Sequence, residues 1–415
     1  MISRFKRYFY LGANKLVNRN LTHNFRMLYF SRITINSATQ LMGLFLPIFL
    51  YSFFGMSLPL VILYYLALDL IYAGLVVFGC QKIMNRIGIK RSLQVSVFFG
   101  AAYYAVFFLI NRYLVSGDLI VEASRFWWLA PAMFFSLMFR LTHWIPYQTN
   151  LAKLTERQIR ASQLSLMEAT IMALGAVMPV VAGLTLTYLG YSALFLLALS
   201  IYLISIIPFS HLPEIQEKFT WSYKQTWQRL FSKKMRPSVL AYAGDGAESV
   251  VGAIVWPIFI WQLLEGNYFQ VGAISSLIIL ATILTQALFG ETLNKLSNKR
   301  RWLRYGVFFY ALGWILKALI STAFQVFLFS AYHNLSRVFS RTSFDALNYD
   351  IAADQGHYVD EYSVVREIAI ILGKVVMGIF VLLIIPIFPL QIVFILAALA
   401  SLSMTLLKQG EIIKD

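Results

Sequence analysis

The chain has 415 residues, of which 59% are hydrophobic and 13% charged, about half the charged share of an ordinary soluble domain. A soluble fold cannot hide that much apolar surface, so the composition excludes a soluble enzyme, a disordered chain and a nucleic-acid-binding module. The formal charge of +16 belongs instead to cationic loops between hydrophobic spans, and the single cysteine, Cys80, excludes an internal disulfide and a cysteine-pair metal site.

These features predict an all-α polytopic membrane protein. A helix needs roughly 20 apolar residues to cross about 30 Å of hydrocarbon. Residues 1–27 come first, a basic and aromatic stretch (Arg4, Lys6, Arg7, Tyr8) with neither the apolar core nor the cleavage site of a signal peptide. They are expected to lie at the cytoplasmic membrane surface. Twelve spans follow, at 28–54, 58–80, 92–111, 125–148, 162–187, 191–210, 238–264, 270–289, 302–321, 324–346, 363–385 and 388–407. The longest polar stretch, 211–237, lies at the middle of the chain. The expected organisation is therefore a six-helix half at 28–210, a linker at 211–237, a second half at 238–407 and a tail at 408–415.

Cations predict the orientation. Lys82, Arg86, Lys90 and Arg91 follow span 2, Lys153, Arg157 and Arg160 follow span 4, and Lys233, Lys234 and Arg236 precede span 7. Links of the opposite parity hold few, with Arg112 and Arg125 the main exceptions. The positive-inside rule then puts both termini in the cytoplasm.

The halves resemble each other. Leu46-Pro47-Ile48-Phe49-Leu50 recurs as Trp256-Pro257-Ile258-Phe259-Ile260. The loop Asn85-Arg86-Ile87-Gly88-Ile89-Lys90 recurs as Asn294-Lys295-Leu296-Ser297-Asn298-Lys299. Parallel repeats about an axis along the membrane normal are a known transporter plan. The loop after span 2 is similar to the G-x-L-x-D-R-x-G-R-[RK] pattern of the major facilitator superfamily, matching it at Arg86, Gly88 and Lys90. The chain thus resembles that family over its length. Asparagine replaces the motif's acid in both halves, at Asn85 and Asn294, so a hydrogen bond can persist there but the charge interaction cannot. Of the family's span 5 antiporter signature only Pro179 and Gly183 are present; with Gly175 they form a small-residue stripe expected to serve close packing.

Ionisable groups within spans are candidate functional sites. Asp245 and Glu248, three apart in span 7, share a helix face and are the ion-coupling candidates. His333, Arg337, Arg341 and Asp345 repeat every four residues along span 10. Span 4 carries Arg140 and His143, span 11 Lys374, and span 1 Asn36 and Gln40. The resemblance places spans 1, 4, 7 and 10 around a central cavity. It makes Asn36, Gln40, Arg140, His143, Trp256, His333 and Arg337 lining candidates there, with Lys374 beside them. Asp69 and Gln286 are weaker ones. The cations either draw in an anionic solute or neutralise the buried acids, and the sequence leaves both open.

No phosphate loop, zinc-hydrolase or serine-hydrolase motif occurs, so neither an enzyme nor a bound cofactor or metal is expected. The expectation is a monomeric secondary transporter of the cell membrane, working by alternating access. It would move an organic anion or an amphipathic compound, coupled to protons. A lipid flippase or a non-transporting receptor on the same fold remain alternatives.

Overall fold

Proline, glycine and charge decide where the helices of this chain bend and stop. The computed structural model describes residues 23–79, 82–83, 85–115, 127–155, 159–215, 221–294, 299–354 and 359–407. The expected surface segment before residue 23, the tail after 407, and the side chain of Asn294 lie outside them.

The first helix, α1 (His23–Gly43), turns by 44° into α2 (Phe45–Phe53). Pro47 causes the bend, because its ring removes the bond to the carbonyl of Gly43. Next come α3 (Leu58–Gly79), α4 (Ile89–Ile110) and α5 (Leu129–Leu154). The long α6 (Arg160–Ile204) breaks at Gly190, which adopts φ 74° and ψ −178°. A short helix follows, α7 (Tyr223–Leu230), started by a reciprocal cap between Ser222 and Gln225.

The second half opens with α8 (Arg236–Val250), which runs through a π-turn at Val251–Val255 into α9 (Trp256–Leu263). It continues with α10 (Tyr268–Asn294), α11 (Lys299–Ala318), α12 (Ala323–Asp354), α13 (Val359–Ile384) and α14 (Ile392–Leu402). The repeated Pro-Ile-Phe motif therefore follows a helix irregularity in both halves.

Six described helical stretches are long and apolar enough to cross a membrane, and the bent pair α1–α2 makes a seventh. One of the six, 163–210, has 48 residues, about 70 Å of helix and more than one crossing requires. Helix also occupies the remaining expected spans, but these are shorter or more polar. The polar ones, α5, α11 and α12, carry Arg140, Lys317 and the pair Arg337 and Arg341. The outer face of α3 presents Leu63, Leu70, Ile71 and Phe78 exposed. Contiguous apolar faces of that kind suit lipid and not water. The protein is an integral membrane protein.

Packing recurs along the chain. Helix α4 lies on α5 as α11 lies on α12, and α1 lies on α6 as α8 lies on α13. Two long crossings join the groups, α3 on α13 and α6 on α10. The second is close because small residues meet backbone. A Cβ on Gly272 would collide with the Pro179 carbonyl oxygen, and one on Gly183 would stand 2.7 Å from the Tyr268 oxygen. Ser276 Oγ accepts the Val180 N–H at 3.1 Å across the same contact. The stripe Gly175, Pro179, Gly183 thus serves packing. The repeated motif also meets its own copy: α2 touches α9, and Gln262 Nε2 donates to Tyr51 Oη at 2.6 Å.

Candidate functional site

Two polar clusters lie inside the helices, one in each group. The first surrounds a cavity of about 220 Å³ among α1, α4, α5 and the second part of α6. Asn36, Arg140 and His143 line it, but it lies among spans 1, 3, 4 and 6 of one helix group and is not the expected cavity among spans 1, 4, 7 and 10. Arg140 Nη1 forms an ion pair with Asp69 Oδ1 at 2.8 Å, and its guanidinium lies 4.0 Å from the Tyr72 ring centre. Asp69 is thus a partner of Arg140 and not a distant candidate. His143 is buried; its Nδ1 is 3.2 Å from Ser96 Oγ, and its ring stacks between Phe139 and Tyr147. The Asn36 side chain is turned back on its own helix, with Nδ2 donating to the Arg32 carbonyl at 2.8 Å. Gln40 lies apart from the cavity lining, toward α6: a Cβ on Gly175 would meet its amide at 3.7 Å.

The second cluster is built on α8, α11 and α12. Glu248 and Asp245 are both buried, as their shared helix face predicts. Their partners differ. Asp245 Oδ1 pairs with Arg341 Nη1 at 2.5 Å, and Arg341 Nε reaches Asp345 Oδ2 at 3.1 Å. Glu248 instead accepts a hydrogen bond from Tyr310 Oη at 2.8 Å and forms no ion pair among the described residues. Arg337 stands within electrostatic range of Glu248 and Asp245 but is exposed and closes on neither. Gly246 lets this part of α8 press against α13, since a Cβ there would collide with the Ile370 carbonyl oxygen.

His333 is buried between Tyr310 and Trp314, with ring centres 4.5 and 4.6 Å away. Trp256 has a partner that its sequence neighbourhood did not indicate. The Lys317 ammonium sits 4.0 Å from the Trp256 ring centre and 4.5 Å from that of Trp314. Cation–π attraction of this kind partly replaces lost hydration. Lys374 is half-buried on α13. Asn85 and Arg86 are exposed, and Lys90 is half-buried. Gly88 starts α4 at φ 82°, which suits a glycine in that turn.

Sequence reasoning missed Arg32, Lys317 and Tyr310. Lys317 was open to the rule that singled out Glu248, a charge inside an apolar span. Arg32 sits near the start of its span and passes for a loop cation. Nothing in the sequence marks Tyr310 among 23 tyrosines.

The arrangement can hold a proton on a carboxylate with one neutral donor, and can exchange ion-pair partners. Among the described residues no three His, Cys, Asp or Glu side chains gather as metal ligands would. No family model matches the chain, and no curated protein matches it in sequence. The fold is similar to that of a solved bacterial metal transporter. The identity is 14% and the TM-score 0.63, with 94% of this chain and 98% of the other covered. At that identity the likeness concerns the fold.

Proposed function

We propose that the protein is a secondary transporter of the major facilitator type, built from two six-helix halves that rock about a central site. Its twelve spans carry both termini to the cytoplasm. The observation that carries this reading is the unequal pairing of the two buried acids. Asp245 is neutralised by Arg341, whereas among the described residues Glu248 has only Tyr310 as a hydrogen-bond partner and Arg337, within electrostatic range of it, forms no ion pair. A buried carboxylate without an ion pair costs several kcal/mol unless it takes up a proton. Glu248 is therefore the group through which proton movement is coupled, with Arg337 as its alternating partner. The whole-length likeness to a transporter fold and the recurring helix packing support the same reading.

The cargo named for the structural neighbour is not carried over. Arg140 and Arg341 are paired with Asp69, Asp245 and Asp345, whereas Arg32, Arg337 and Lys317 form no ion pair among the described residues, and these three cations favour a small organic anion.

Proteoliposomes with an internal pH reporter test the function. Challenged with pooled organic acids, sugars, amino acids and hydrophobic cations, the protein should acidify or alkalinise the lumen with one pool. Glu248→Gln should abolish gradient-driven uptake while the protein stays folded. Full uptake by that variant would remove Glu248 from coupling. Movement of lipid headgroups without solute flux would favour a flippase.

A further inference from the structure

We propose that the cavity among α1, α4, α5 and α6 binds an organic monoanion of about one ring, with Arg32 as its counter-charge. The inference deepens the transporter reading by naming the cargo site and its chemistry, and rests on that reading for the claim that the bound anion is carried.

Size comes first. A cavity of about 150 Å³ suffices to hold benzene. The 220 Å³ present here accommodates a single ring with a short acidic group. Tyr103, Tyr104, Phe139, Trp144 and Tyr202 supply aromatic walls. Such walls suit a flat body, and offset or edge contacts add to its burial.

Charge comes next. Two arginines line the cavity, Arg32 and Arg140. Arg140 is neutralised by Asp69 at 2.8 Å. Arg32 forms no ion pair among the described residues; Glu168 stands within electrostatic range but does not close on it. Its guanidinium lies 4.7 Å from the Tyr147 ring centre and 5.8 Å from that of Trp144. Its Nε is buried without a hydrogen-bond partner. An arginine N–H withdrawn from water with no acceptor is costly, and a carboxylate supplies two acceptors in the geometry of the guanidinium fork. One unpaired cation matches one negative charge. A dianion would have to break the Arg140–Asp69 pair or remain half-neutralised.

The full-length purified protein in detergent, titrated by calorimetry with benzoate, phenylacetate and neutral benzamide, tests the proposal. At least one carboxylate should bind saturably, with benzamide at least tenfold weaker. Arg32→Gln should weaken carboxylate binding tenfold or more, and Arg32→Lys should lose less. If Arg32→Gln does not fold, Thr39→Trp carries the test, because that side chain lines the cavity and a tryptophan there should fill it and abolish binding. Three results would overturn the proposal: no carboxylate bound by the unmodified protein, benzamide bound as tightly as the acids, or unchanged binding in the variants. The assay needs no gradient, so it separates the two readings. Saturable binding without flux would keep the site and remove the transporter. Flux of another solute without carboxylate binding would do the reverse.

Discussion

Asp69 changes what Arg140 can do. Both side chains are mostly buried, at 12% and 16% exposure, so the pair is screened far less than one at the surface. Removing one member leaves a charge without its partner. Asp69→Asn should lower stability by roughly 3 kcal/mol, and the double variant Asp69→Asn with Arg140→Gln should recover most of it. Thermal unfolding of the four proteins in one detergent gives the coupling directly. A double variant no better than the single would show that Arg140 has another partner. The same logic separates Asp245 from Glu248. Three residues apart on one helix, they look alike in sequence, but among the described residues only Asp245 has an arginine within ion-pair distance. Their positions were legible, since charge inside an apolar span is conspicuous. Their partners were not, because Asp69, Arg341 and Tyr310 come from other helices.

Among the elements, α6 shows how one backbone position organises a long helix. Gly190 adopts a φ that side chains with a Cβ rarely take, and no heavy atom lies within 4 Å of where a Cβ would stand. Any effect of Gly190→Ala is therefore backbone strain and not a clash. The variant should be destabilised by about 1–2 kcal/mol, visible as a lower unfolding temperature with unchanged helicity. No change would mean that the turn relaxes into another conformation. The expected boundary between spans 5 and 6, at 188–190, falls on this glycine. The π-turn at Val251–Val255 was not legible. Nothing in Val-Gly-Ala-Ile-Val distinguishes it from α-helix, and it sets the rotation of Trp256 relative to Glu248. Such turns recur at functional positions.

At the scale of the molecule, the two copies of the Pro-Ile-Phe motif close one end of the interface between the helix groups. Gln262 bonds Tyr51, Tyr51 meets Trp261 edge-on at 6.2 Å, and Tyr191 packs on Tyr268 at 5.6 Å. If the halves rock, this end must open. Gln262→Ala removes one bond worth about 1 kcal/mol and should raise the open population about fivefold. Spin labels at exposed Met56 and Phe269, in a Cys80→Ser background, would read the change as a longer distance component. An unchanged distribution would place the closing energy in the aromatic contacts alone.

Hydropathy determined from sequence alone that this is an α-helical membrane protein, where its helices lie, and that Asp245 and Glu248 sit within one of them. These are local properties, set by the bilayer's thickness and by the cost of charge in hydrocarbon, and a single chain displays them in order. Only the tertiary structure decided that, among the described residues, Arg140 forms an ion pair while Arg32 and Glu248 form none, and that Lys317 rests between two tryptophans. Each of these depends on which helix faces which, and that follows from packing between residues up to some 200 positions apart.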